Sequence, residues 1–218
     1  MTQHNNHSLV EAITLTKSSA RAKFVESIDM ICQLNIDPKQ STQMIRSSSK
    51  VIPGTVRPKT VIAVCEPELA QNCVEAGADM SGAEEVISSL ENMKLDRRKH
   101  VVLCTPSMIK PLSKLGKKLG SRGVMPNAKL STLTSHITAE IPQAKNARVY
   151  YRTDRYGTVH CQIGNCQTED EHLIANIKSV VQDLISLKPT GVKGSYIKFI
   201  GITSTMGKFF QIDLKDIL

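Results

Sequence analysis

Thr203, Ser204 and Thr205 set three hydroxyls in succession at the end of an apolar run, and Met206, Gly207 and Lys208 follow them. Hydroxyls donate to phosphate or ribose oxygens, and glycine lets a backbone approach closely. The grouping therefore suits contact with a sugar–phosphate backbone. Taken alone, the plainer reading is a strand that ends in a polar turn. A second grouping lies upstream. Lys110, Lys114, Lys117 and Lys118 fall on neighbouring turns if this stretch is helical. They run into Gly116, Gly120, Arg122 and Gly123, with Lys129 beyond, so backbone amides and cations can converge on phosphate. A lone helix with such a stripe would simply be a solvated face.

Sharper chemistry is not spelled out. A Walker A loop is absent, and a dinucleotide fingerprint needs its glycines directly after a strand, whereas these follow a helix. Gly120 to Gly123 matches the G-x-x-G loop of KH domains, but Pro126 discourages the second helix that loop requires. His160, Cys161, Cys166 and His172 lack the paired spacing of a zinc site, and the six cysteines contain no C-x-x-C pair. Free thiols in a reducing compartment are the reading that follows. No Ser/His/Asp or paired-carboxylate set stands out, so no catalysis, cofactor or metal is expected. The competing class is an α/β nucleotide- or small-molecule-binding enzyme with a basic accessory surface.

Charge narrows the partner. The chain of 218 residues carries 28 Lys plus Arg against 20 Asp plus Glu, a net charge of +8. Such a balance favours nucleic acid. With 4% aromatics and no tryptophan, a stacking platform for single strands is poorly provided for, and a structured RNA gripped by backbone and shape fits better. No apolar run approaches membrane-spanning length. The first residues show neither an apolar signal nor an arginine-rich presequence, the pattern of a protein made where it works or already trimmed.

The elements that position these groups follow from pattern. Ser8 with Glu11, Ser81 with Glu84 and Thr168 with Glu171 each read as a capping box opening a helix. Phe24 to Leu34 alternates as a strand whose buried face carries Phe24, Glu26, Ile28, Met30, Cys32 and Leu34. A polar loop follows, from Asp37 through Arg46 and three serines to Gly54. Thr60–Cys65 and His100–Cys104 are continuous apolar runs suited to buried parallel strands. Helices are expected from Pro67 to Ala76, from Ser81 to about Met93 and from Ser107 to Leu119. Val149–Arg152 and Thr158–Ile163 read as a hairpin, followed by an amphipathic helix ending before Pro189 and a strand over Tyr196–Thr203. The fold class is thus α/β and α+β in two domains. Residues 1–55 and 149–218 form a split α+β sheet domain, and 56–148 an inserted α/β domain. The connections lie near Pro53–Pro58 and Pro142–Arg148.

L-G-K-K-L-G-S-R-G-V-M-P-N-A-K at Leu115–Lys129 resembles the signature segment of the ribosomal protein L one family, the stalk proteins of the large ribosomal subunit. A-K-F-V-E-S-I at Ala22–Ile28, N-I-D-P-K at Asn35–Lys39 and E-A-G-A-D at Glu75–Asp79 resemble it too. So do V-H-C-Q-I-G at Val159–Gly164, K-P-T-G-V-K-G-S-Y-I-K at Lys188–Lys198 and T-S-T-M-G at Thr203–Gly207. The matches run almost end to end and look more bacterial or organellar than archaeal.

The resemblance implies a discontinuous α+β domain, with a Rossmann-like three-layer α/β domain inserted, that grips structured large-subunit ribosomal RNA in a stalk that swings as deacylated tRNA leaves the exit site. It also implies, as in bacterial relatives, repression of the protein's own messenger RNA. The protein would act as a monomer within the ribosome of a bacterial cytoplasm or an organelle matrix, with no membrane partner. The RNA-facing residues it implies are Lys23, Phe24, Glu26, Arg46, Asp154, His160, Lys198, Thr203, Ser204, Thr205, Met206 and Gly207. Lys110, Lys114, Lys117, Lys118, Arg122 and Lys129 would form a secondary electrostatic contact. Departures from the family pattern fall at Gly54, Ser121, Ala128 and Ser131, the last where the family usually has glycine.

Overall fold

The structure, a computed structural model, describes residues 6–192 and 194–217. Lys193, in the K-P-T-G-V-K-G segment, and the first five residues lie outside the described residues. In chain order the elements are α1 (Leu9–Ser19), β1 (Ser27–Leu34), β2 (Arg46–Lys50), β3 (Thr60–Val64), α2 (Pro67–Glu75), β4 (Met80–Gly82), α3 (Glu84–Asn92) and β5 (His100–Cys104). Then come α4 (Ile109–Leu112), α5 (Gly116–Arg122), α6 (Ile137–Asn146), β6 (Arg148–Arg152), β7 (Thr158–Asn165), α7 (Asp170–Ser186), β8 (Ile197–Ser204) and β9 (Phe209–Ile212). The chain divides into two compact units, Met1–Val56 with Val149–Leu218, and Arg57–Arg148.

The first unit holds an antiparallel sheet in the order β7-β1-β8-β9, with β2 and β6 forming a second, two-stranded sheet. Strand β1 alternates half-buried and buried residues along its length. Ile28, Met30, Cys32 and Leu34 meet Ile200 and Ile202 of β8 on one face, where α1 contributes Leu9, Ala12 and Ile13. Helix α7 adds Leu173, Ile177, Val180, Val181 and Leu184 to the same core, whereas Ile185 is largely exposed. At the start of α1 the capping box is complete, with Glu11 N–H donating to Ser8 Oγ and Ser8 N–H to the Glu11 carboxylate.

The second unit has a parallel sheet in the order β4-β3-β5. Ile62, Val64, Val102 and Cys104 pack against Val86 and Leu90 of α3 and against Leu112 and Leu119. Residues between them in β3 and β5, such as Val61, Ala63 and Leu103, are equally buried and face the other way, where α6 lies against both strands. Burial on both faces is why these strands read as unbroken apolar runs.

Several expectations need correction. Phe24 is not part of β1, which begins at Ser27, and its ring is 55% exposed. Ser81 lies in β4 and donates to Ala70 O, so α3 opens after Ala83 without a side-chain cap. Thr168 likewise bonds Asn165, and α7 opens after Glu169. Ser107–Leu119 is not one helix: Pro111 and Gly116 accompany a chain of short helical turns, with 3₁₀ geometry at Pro106–Met108 and Ser113–Leu115. Helix α6 continues through Pro142, because Ile137, Ile141 and Ala144 bury a stripe that offsets one missing hydrogen bond.

The expected hairpin is also replaced. β6 pairs with β2, and among the described residues its link to β7 is one bridge, Thr153 to Val159, with the Asp154 amide donating to Thr158 O at 2.9 Å. Strand β2, read as loop, is too polar to announce itself. It is fixed by pairing with β6, by the buried Ser49 Oγ donating to Tyr151 OH at 3.2 Å, and by Ser179 closing on Lys50 O. Strands β4 and β9 were likewise not foreseen.

Ser131 adopts a left-handed backbone, φ 54°, after a turn capped by Asn127. A side chain is strained there and glycine is not. Ser131→Gly should therefore raise stability by about 0.5–1 kcal/mol in urea unfolding.

Candidate nucleic-acid interface

The start of β1 gathers eight of the twelve primary candidate residues, Lys23, Phe24, Glu26 and Thr203 to Gly207. Ser27 stands opposite Asn165 of β7, and Ile28 opposite Ser204 at the end of β8. The residues before β1 and after β8 are therefore neighbours. Glu26 joins them. It is 1% exposed, and its carboxylate accepts the Ala22 amide at 3.0 Å and the Met206 amide at 2.9 Å. The Ala22 amide, then the Met206 amide and the Ser204 hydroxyl, hold its pKa below the ordinary value, against the opposing effect of burial.

This clamp carries two exposed apolar side chains, Phe24 on one segment and Met206, 74% exposed, on the other. A shallow cleft of about 340 Å³ opens beside Phe24, lined by Lys17, Lys23, Val25, Glu26 and Cys166 among others. Thr205 is tied to the strand: its Oγ1 accepts from Ser27 N–H at 3.0 Å and lies 2.9 Å from Ser27 Oγ. Gly207 is held by its surroundings, since an added Cβ would meet Ser204 Oγ at 2.2 Å and Ser19 Oγ at 2.6 Å.

Glu26 and Ser204 thus differ from the expectation. Both are buried, so they support the loops from within and do not offer a surface to a ligand. Thr203 Oγ1 donates to Ser204 O at 3.0 Å. Sequence reasoning missed Ser27, whose partner Thr205 is remote in the chain and leaves no local pattern.

Arg46, Asp154 and Lys198 fall at the other end of the sheet. Lys198 is the exposed second residue of β8, whose first residue pairs with Leu34 at the far end of β1. Asp154 precedes β7, and its carboxylate accepts the amides of Tyr156 and Thr158, both at 2.8 Å, which is the chemistry of a turn builder. Arg46 follows Ile45, whose carbonyl accepts the Thr153 amide at 3.0 Å. An eight-residue strand separates the two ends by about 24 Å. His160 lies between them, exposed, opposite Ile31. Neighbours along a strand point to opposite faces, so His160 and the buried Cys161 cannot converge on a metal, and no metal-binding cluster occurs among the described residues.

In the second unit Lys114, Lys117 and Lys118 line an open depression of about 530 Å³ with Glu91, Leu115 and Ser121. Lys110 and Lys129 are exposed outside it. Two of the basic groups have structural employment: Lys118 Nζ donates to Glu91 O, and Arg122 Nη1 to Leu95 O at 3.1 Å. They tie this segment to the end of α3.

The lowered Glu26 pKa makes a pH prediction. A carboxylate depressed in the folded state contributes stability that is complete above about 4.5, its ordinary value, and is lost as pH falls through the lower folded value. Glu26→Gln should therefore be less stable than the parent at pH 7, with the difference shrinking in acid. Urea midpoints at pH 7 and pH 3 would read it; a difference independent of pH would contradict the clamp.

The sequence profile of the ribosomal protein L1p/L10e family matches residues 15–208. Among similar proteins, the large ribosomal subunit protein uL1 of Fervidobacterium nodosum is 39% identical over 211 residues, covering 95% of this chain and 88% of its own. That of Legionella pneumophila is 34% identical over 213 residues, covering 97% and 90%, and that of Rickettsia bellii 35% over 211, covering 97% and 87%.

Proposed function

The chain belongs to the ribosomal protein L1p/L10e family, and on that premise we propose that the unit of residues 1–56 and 149–218 grips structured large-subunit ribosomal RNA. Membership makes it a structural, non-enzymatic protein of the large ribosomal subunit, which belongs at the ribosome. In the finer reading it forms the mobile stalk, assists deacylated tRNA as it leaves the exit site, and represses its own messenger by binding a similar fold. The residues 57–148 supply the secondary, electrostatic contact.

One observation supports the RNA grip above the others. Phe24 and Met206 are large apolar side chains left in solvent, yet the segments that carry them are locked together by one buried carboxylate. Holding exposed apolar groups rigidly is unfavourable for the free protein and sensible for a surface that reads shape. Lys23 and the Thr203 to Gly207 backbone stand next to them for ribose and phosphate.

Titration with a stalk-base fragment of large-subunit rRNA, at several salt concentrations, tests the reading. Specific binding is expected from the parent chain. Replacing Lys114 and Lys117 together by alanine should weaken binding to every RNA and reduce the slope of log K against log salt by about 1–2. No preference for the stalk-base fragment over unrelated hairpins would overturn the assignment.

A further inference from the structure

The sheet β7-β1-β8-β9 has a second face, and the unit's two long helices both pack on the first one. Strand pairing sets Asp29, Gln162, Thr203 and Phe209 in one row of that second face, with His160, Ile31, Gly201 and Gln211 in the next. Gln33 and Phe199 lie opposite each other one row further on. Composition gave the chain four phenylalanines, and two of them meet here.

Their arrangement is built. At Gly201 an added Cβ would meet Phe209 Cζ at 2.3 Å and Cε2 at 2.4 Å, so the Phe209 ring lies across the bare backbone of the glycine. Phe199 stands beside it with ring centroids 6.1 Å apart and planes at 79°. One ring is a floor and the other a wall, both only half-buried. Gln211, two residues beyond Phe209 and on the same face, stands beside the corner, while His160 and Gln162 lie on that face two strands away from Phe199.

We propose that the Phe199–Phe209 corner stacks one unpaired base of the RNA held at the Met206 end of the sheet. The inference rests on the RNA reading above. The corner is continuous with that site, because Thr203 pairs directly with Phe209. A net charge of +8 selects a polyanion. Bases within a duplex have their faces covered by neighbours, whereas a base in a loop or bulge presents a face to an aromatic ring and its edge to a side-chain amide. The corner accommodates one base, so the ligand is a structured RNA with an extruded nucleotide, not an extended single strand.

The experiment uses the full chain and the stalk-base rRNA fragment, with each unpaired base replaced in turn by an abasic site. One abasic position should weaken binding about 5- to 150-fold, the range for loss of one stacked base. Phe209→Leu, which keeps an apolar cover over Gly201, should weaken binding to the intact fragment by a similar factor and lose nothing more on that abasic RNA. Phe199→Leu should behave alike, and thermal melting checks that both variants are folded. Phe209→Leu binding the intact fragment at parental strength would overturn the proposal alone. So would a loss that is the same on every abasic RNA, which marks a structural role. Failure of the parent chain to bind any form of the fragment would overturn the RNA reading and the proposal with it.

Discussion

Met206→Asp should reduce affinity for stalk-base rRNA by about 5- to 150-fold, roughly 1–3 kcal/mol, while leaving the thermal midpoint within a degree or two. The side chain is 74% exposed and only its backbone amide takes part in the fold, through Glu26. A carboxylate there changes no internal hydrogen bond. It sets a negative charge against phosphate and removes an apolar contact, so the loss belongs to binding. Thr205 is a poorer probe. Its hydroxyl is engaged by Ser27, so Thr205→Ala mixes strand stability with recognition. Equilibrium titration and melting of Met206→Asp together read the prediction. Unchanged affinity would remove Met206 from the interface.

The second large effect is on stability. Asn176, 1% exposed on α7, accepts the Ile52 amide at 2.9 Å and donates to Thr55 Oγ1 at 3.0 Å and to Ile163 O at 2.8 Å. One side chain thus fastens residues 52–55 to the helix and to β7. Asn176→Leu is close in volume but abandons a half-buried amide and a buried carbonyl. Each unsatisfied group costs about 1–3 kcal/mol, so a total loss of roughly 3–5 kcal/mol is expected. Against a domain stability of about 5–15 kcal/mol, that threatens folding at 37 °C. Urea unfolding followed by circular dichroism measures it. The folded fraction should keep parental RNA affinity, since the residue lies on the helix side of the sheet.

What the sequence disclosed, and where it fell short, follows from which interactions are local. The capping box at Ser8 is complete within four residues, and β3 and β5 advertise themselves because both faces are buried. The same four-residue pattern misled at Ser81 and Thr168, whose hydroxyls found partners elsewhere. Strand β2 is Arg-Ser-Ser-Ser-Lys, and nothing in that string specifies a strand without β6 beside it. Residues 142–148 read as a connection, whereas Pro142 lies inside a helix that continues to Asn146 because its apolar stripe is buried.

The candidate site was legible through resemblance more than through periodicity. Strand alternation put Glu26 on the buried face, but it could not foresee that the carboxylate would serve two amides 22 and 206. Nor could it foresee that Gly201 makes room for Phe209, since the two meet only through the register of β8 with β9. Low aromatic content argued against stacking; placement of two rings together argues for one stacked base.

The central claim is that the loop ends around Glu26 form a rigid surface reading one RNA shape. The most direct measurement is the affinity of the unaltered protein for the stalk-base rRNA fragment and for a scrambled hairpin of equal length and pairing, each at low and high salt. The account predicts a preference of tenfold or more for the stalk-base fragment that persists as salt rises, because backbone and apolar contacts are not screened as phosphate pairs are. Equal affinities that fall together with the same salt slope would contradict it.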